Sequence, residues 1–238
     1  PGVWERQLVG RDRWVVVLCA GAIHTPGILV RSGVGPRADI ERLGVVLVSD
    51  VPAVGHALLD HPGAAVFLLP NAPGISRDDV AVIQTVLRFQ SSRGRDADLQ
   101  MQPGSFIPLL GVELPLVSMM VQVGKPRGRG HIRFDSVQPD ARPWIDSRLL
   151  ADPDDMNAAL EAMDLVWLLV TDPALRDLAR LFMPTERGFG SKGAMREWIL
   201  NQTGSGYHPC GTVPMASPVR RDPIGRAGAT DSYGRVHG

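Results

Sequence analysis

The sequence predicts two fold regimes in one chain, α/β at the amino-terminal end and α+β beyond it. Three observations carry this. Trp14–Cys19 is an almost wholly apolar, β-branched run, as expected of a strand buried on both faces, and a small-residue turn and helical segment follow it. From Gly63 onward, period-2 runs separated by Pro and Gly turns predict an antiparallel sheet. Asp152-Pro153-Asp154-Asp155 then opens the clearest helix in the chain.

In order, the first region predicts a strand at 14–19 and a turn at Ala20-Gly21-Ala22, where small side chains let another group approach the backbone. Thr25 is placed to cap a helix near 26–32 with Pro26 in its first turn, ended by Gly33 or Gly35. A short helix at 37–43 ends at Gly44, and a strand is expected at 45–49. Ala64–Leu69 reads as an apolar strand. Ile83, Thr85, Leu87 and Phe89 alternate with Gln84, Val86 and Arg88, although residues 80–89 fit helical spacing equally well. Leu99 and Met101 alternate with Gln100 and Gln102, Leu116–Val123 is a further apolar run, and His131–Phe134 a last strand. About five strands are therefore expected within 63–150, with the 153–171 helix on one face. In that helix Asp152 caps, Pro153 takes the first position and two acids favour the dipole. Met156, Ala159, Leu160, Met163, Val166, Trp167 and Val170 form its apolar face until Pro173. Met163 and Trp167 are read as packing residues, and a further helix near 192–201 carries Met195, Trp198 and Ile199.

The 238 residues are 44% hydrophobic and 21% charged, enough for one or two cores. Twenty-five basic residues balance 25 acidic ones, so no net field draws nucleic acid or an anionic membrane. Arg127, Arg129 and Arg133 near Lys125 lack interleaved aromatics and read as a solvated strand edge. With only Cys19 and Cys210, the first in the buried run, neither a structural disulfide nor a metal site is expected. That cysteine usage suits a reducing compartment, so a cytoplasmic location is expected. No apolar run approaches the roughly 18 residues of a membrane helix.

Residues 205–212 read Ser-Gly-Tyr-His-Pro-Cys-Gly-Thr. Proline keeps the residue before it out of helix, and imidazole titrates near neutrality, so His208 can accept a proton. This segment resembles the active-site motif of the glucose–methanol–choline (GMC) flavoprotein oxidoreductases. Ala20-Gly21-Ala22 through Ser32-Gly33-Val34-Gly35 is similar to the family's second signature. Val51-Pro52-Ala53-Val54-Gly55 with Asp60-His61-Pro62 resembles its Pro-x-Val-Gly…Asp-His segment, with Ala57 where the family usually has Asn. Gly128–Phe134, Pro143-Trp144-Ile145-Asp146 and Asp231 to Gly238 resemble carboxy-terminal elements in the expected order.

The resemblance implies part of a flavin-binding Rossmann-like domain plus an antiparallel-sheet substrate domain covered by helices, and it favours strand over helix at 80–89. The implied division is a partial FAD domain at 1–62 and a substrate domain at 63–190. A return segment at 191–238 then carries the active-site histidine. FAD is the implied cofactor, with Ala20, Gly21, Ala22, Gly211 and Thr212 facing it and His208 as general base. The implied reaction oxidises a small-molecule alcohol by hydride transfer to flavin, and Ala20–Ala22 and His208 are expected to approach one flavin-shaped cavity. Electron acceptor, oligomeric state and the choice between oxidase and dehydrogenase are left open.

The family's amino-terminal Gly-x-Gly-x-x-Gly unit and a second catalytic Asn or His after the His-Gly ending are not in this sequence, so a carboxy-terminal portion of a larger enzyme is expected. Gly188-Phe189-Gly190-Ser191-Lys192-Gly193 follows no hydrophobic strand and reads as a flexible loop. The spacing and the short 63–190 region are similar to mycofactocin-associated dehydrogenases of the family. Three rival readings stand beside oxidation. A lyase of the same fold would not have its flavin bleached by an alcohol. A Ser205/His208 hydrolase lacks the Gly-x-Ser-x-Gly elbow. A noncatalytic binding protein would keep only the substrate domain.

Overall fold

The computed structural model describes residues 5–8, 14–92, 96–109, 112–216 and 228–238. In chain order these form β1 (Glu5–Leu8), β2 (Trp14–Val17), α1 (Gly21–Arg31), β3 (Val34–Gly35), α2 (Arg37–Arg42), β4 (Ser49–Asp50) and β5 (His56–Leu58). Next come β6 (Pro62–Pro70), β7 (Leu87–Phe89), β8 (Leu99–Leu109), β9 (Val112–Val123), β10 (Gly130–Arg133) and β11 (Trp144–Asp146). The series ends with α3 (Pro153–Thr171), α4 (Pro173–Arg176), β12 (Ala179–Met183), a 3-10 turn (Glu186–Phe189), α5 (Lys192–Gln202) and β13 (Gly204–Ser205). Two compact units share them. The first holds Pro1–Leu59, Arg129–Arg148 and Pro209–Gly238, and the second Asp60–Gly128 and Leu149–His208.

In the first unit, Leu29, Val30, Ile40, Val51, Ala53, Val54 and Ala229 form the core under α1 and α2. α1 begins at Gly21, earlier than Thr25 suggested, so Thr25 lies inside the helix and Pro26 in its middle. Its end is as expected: Gly33 takes φ +82° and its N–H reaches the Val30 carbonyl at 3.0 Å. The run 14–19 is a strand only to Val17, and Val16 is 62% exposed rather than buried on both faces. Within the described residues β2 pairs only with β1, and Val15, Val16 and Val17 are all exposed. Cys19 is accordingly exposed. The expected strand 45–49 shrinks to Ser49–Asp50 paired in parallel with β3, and Val46 is 82% exposed.

The 131–134 strand was expected in the large sheet. As β10 it joins the first unit instead, where it pairs with both β11 and β5. Gly130 makes this possible: a Cβ there would sit 2.0 Å from the Asp146 carbonyl oxygen. Arg31 donates to the Ser136 carbonyl at 3.0 Å and lies over the Phe134 ring. Arg133 pairs with Asp135 at 3.0 Å and stacks on Trp144.

The second unit is an antiparallel sheet in the order β12-β6-β9-β8-β7, with β13 also on β6. Residues 87–89 are strand and Ile83 bridges Gly104, so the 80–89 region is not helical. Alternation sorts the two faces. Ala64, Val66, Leu68, Leu99, Met101, Met119, Val121 and Val123 meet Met156, Ala159, Met163 and Val166 of α3 and Met195 and Ile199 of α5. Because α5 packs in this core, 191–208 stays with the second unit rather than returning to the first. Asp152 caps α3 by accepting from the Asp154 N–H at 2.8 Å. Asp155 is buried and accepts the Arg127 and Gly128 N–H groups, at 2.8 and 2.7 Å by its nearer oxygens. The 186–193 stretch is an ordered turn and helix start rather than a loose loop, since Phe189 is buried and stacks on Trp167 at 4.8 Å.

Candidate active site

The far face of that sheet carries the candidate chemistry. Register places Gly204, Gly63, Gln122, Gln100 and Arg88 in one cross-strand row, opposite to the helix-covered side. The Gln100 amide donates to the buried Gln122 side chain. At the β6 end of the row stand Asp60 and His61, and against them the 205–208 turn. Asp60 is the hub. One carboxylate oxygen accepts the His61 N–H at 2.7 Å and the His208 N–H at 3.0 Å, and the other accepts the Ser205 hydroxyl. Ser205 Oγ in turn accepts the Tyr207 N–H at 2.9 Å, with Tyr207 in the left-handed region at φ +63°. Pro209 follows and disfavours helix at His208. His208 thus has an anchored backbone and an exposed side chain. The His61 and His208 rings lie 5.1 Å apart, tilted by 47°.

In the first unit the structure brings together the other predicted residues. The Gly55 N–H donates to the Thr212 carbonyl at 2.7 Å, and Leu59 and Cys210 exchange N–H···O bonds of 2.9 and 2.8 Å. Gly211, at φ +84°, passes so close to this segment that a Cβ would lie 2.5 Å from the Ala57 carbonyl oxygen. Thr212 is 1% exposed and its hydroxyl donates to the Ala22 carbonyl at 2.6 Å. The partner is explained by Pro26. In an unbroken helix the Ala22 carbonyl accepts from the N–H four residues on, and proline has none. Thr212 supplies the missing donor, and so ties the 210–212 segment to the first turn of α1. Cys210 is exposed.

The start of α1 is open. Ala20 gives no side-chain cap, no acid stands in the first turn, and a Cβ on Gly21 (φ +75°) would meet nothing within 4 Å. First-turn N–H groups need partners and favour negative charge. Ala20, Gly21 and Ala22 therefore fit the anionic or ribose part of a dinucleotide cofactor.

Burial, then the neighbouring His208, pushes the His61 imidazole below its ordinary value, against a smaller upward pull from Asp60. Burial and then His131 do the same to His56, whose ring stacks on His131 at 5.9 Å. Both groups bind fewer protons folded than unfolded just below the ordinary imidazole value of about 6.5. Stability is therefore expected to fall as pH drops through about 6.5 toward the lowered folded values. His56→Asn and His61→Asn should each flatten that slope in urea melts taken at several pH values.

Ala57 holds φ +61°, a left-handed conformation that costs an ordinary residue roughly 1–2 kcal/mol and that Asn tolerates. Ala57→Asn is expected to stabilise the chain by about 1 kcal/mol, read from the urea midpoint; a lower midpoint would count against strain at this position.

Asp60 and His61 were legible as part of a motif but without roles. The signal was an Asp-His-Pro turn entering the sheet at Gly63, and what it lacked was the distant 205–208 partner.

Comparison with known proteins agrees with this architecture. A GMC oxidoreductase amino-terminal model matches residues 5–63 and the carboxy-terminal one residues 126–238. The 5-(hydroxymethyl)furfural oxidase of Methylovorus sp. (strain MP688) is 29% identical over 94% of this chain and 44% of its own length. Choline oxidase of Arthrobacter globiformis is 28% identical over 85% of this chain and 39% of its own. The crystal structure of pyridoxine 4-oxidase from Mesorbium loti superposes with a TM-score of 0.79 at 22% identity, covering 96% of this chain and 46% of that one. The chain thus spans less than half the length of each. Two family models in their proper order and relatives aligned along nearly all of its length establish that this chain belongs to the GMC oxidoreductase family.

Proposed function

We propose that this chain is part of an FAD-dependent enzyme that oxidises a small-molecule alcohol, with His208 as the general base. The observation that carries this is the Asp60 clamp, which fixes the His208 backbone beside His61 and leaves its imidazole exposed. A positioned base of this kind contributes on the order of 10²–10⁴ in rate. The names of the relatives, an oxidase of 5-(hydroxymethyl)furfural and one of choline, support the reaction class.

Ala20, Gly21 and Ala22 would hold the cofactor at the open start of α1, and Gly211 and Thr212 would present backbone to it. When bound, FAD supplies the hydride acceptor. This chain's residues do the rest: Asp60 orients His208, His208 takes the hydroxyl proton, and the Gln100–Gln122 pair gives the substrate side hydrogen-bonding amides. Anaerobic mixing of the FAD-loaded enzyme with primary alcohols tests the reading. Bleaching of the flavin with release of an aldehyde is the expected result. Turnover without bleaching would assign a lyase instead.

A further inference from the structure

We propose that His61 is a second catalytic residue, whose Nε2–H donates to the alcohol oxygen while His208 accepts that oxygen's proton. The proposal rests on the reading of His208 as base. Its starting point is an orphan atom: His61 Nδ1 is buried and has no hydrogen-bond partner among the described residues. Unpaired buried polar atoms are uncommon and point to a role. A neutral imidazole carries one donor and one acceptor nitrogen. A buried N–H without an acceptor is the rarer and costlier arrangement, so the proton belongs on Nε2 and the bare lone pair on Nδ1. Double protonation would add an unpaired N–H at Nδ1, in line with the downward push that burial gives this imidazole. The charged and titratable groups facing it are His208, Asp60 and Arg88.

The geometry then sets a donor beside an acceptor. The two rings stand 5.1 Å apart at 47°, and the same Asp60 oxygen holds both backbone N–H groups. Glycine at 206 allows the turn to lie on His61, since a Cβ there would be 2.8 Å from the His61 carbonyl oxygen and 3.0 Å from its Cβ. As the reaction proceeds the hydroxyl O–H bond breaks and its proton goes to a His208 ring nitrogen. FAD, when bound, would supply the two-electron hydride acceptor that balances oxidation of the alcohol to a carbonyl. The oxygen carries negative charge on the way, and a fixed donor there stabilises it. His61 keeps its own proton throughout.

Two measurements test this. In the unmutated chain, nitrogen-15 NMR of the imidazoles at neutral pH should find His61 protonated at Nε2 and bare at Nδ1; a proton on Nδ1 overturns the proposal without recourse to catalysis. In the FAD-loaded enzyme, His61→Ala should slow flavin reduction by roughly 10²–10³, with KM for the alcohol little changed. His61→Gln, which keeps a donor at similar reach, should recover most of the rate. Equal rates in the two variants, or an unimpaired His61→Ala, overturn the donor role. The base reading fails separately, by an unimpaired His208→Ala.

Discussion

Replacing His208 with alanine in the FAD-loaded enzyme is expected to slow flavin reduction by roughly 10²–10⁴ while FAD stays bound. A base acts in the transition state, so kcat and kcat/KM should fall together rather than KM rising alone. Stopped-flow bleaching with one alcohol at several concentrations reads the effect. Asp60→Ala supplies a companion result. It strips the acceptor from the His208 N–H, the His61 N–H and the Ser205 hydroxyl together, so the rate should drop although His208 remains. An unchanged rate in His208→Ala would leave this histidine a turn residue.

The turn that carries His208 was legible because Gly206 and Pro209 lie within a short motif whose local geometry the sequence dictates. α3 was legible for a similar reason, its cap, first-turn proline and apolar stripe all lying within 19 residues. What escaped depends on partners far away in the chain. α1 starts four residues before Thr25 because Thr212, 190 residues on, supplies the donor that Pro26 lacks. Read locally, a Thr-Pro pair looks like a helix start. The apolar run 14–19 carried the composition of a doubly covered strand, yet composition records what a residue suits rather than what this chain places against it. β10 was assigned to the wrong sheet because alternation tells which faces exist and not which strands pair.

The pairing of distant segments makes the second large effect a prediction about stability. Gly211→Ala is expected to destabilise the first unit by roughly 2–5 kcal/mol, from left-handed strain and overpacking together. Its φ of +84° is strained for alanine, and the new methyl would stand 2.5 Å from the Ala57 carbonyl oxygen. That oxygen is backbone in a segment held by the Leu59–Cys210 and Gly55–Thr212 hydrogen bonds, so neither side can yield cheaply. Thr212→Val separates packing from hydrogen bonding at the next residue. It preserves the branched shape and removes the donor to the Ala22 carbonyl, leaving a part-buried acceptor unpaired at a cost of about 1 kcal/mol. Thr212→Ser keeps the hydroxyl and should lose much less. Urea unfolding gives the totals, and amide exchange in the first turn of α1 should accelerate in Thr212→Val but not in Thr212→Ser. If Val and Ser behave alike, the hydroxyl is not what completes the proline-broken helix. The same turn holds Ala20, Gly21 and Ala22, so FAD affinity should follow the exchange pattern: weakened by Val, nearly kept by Ser.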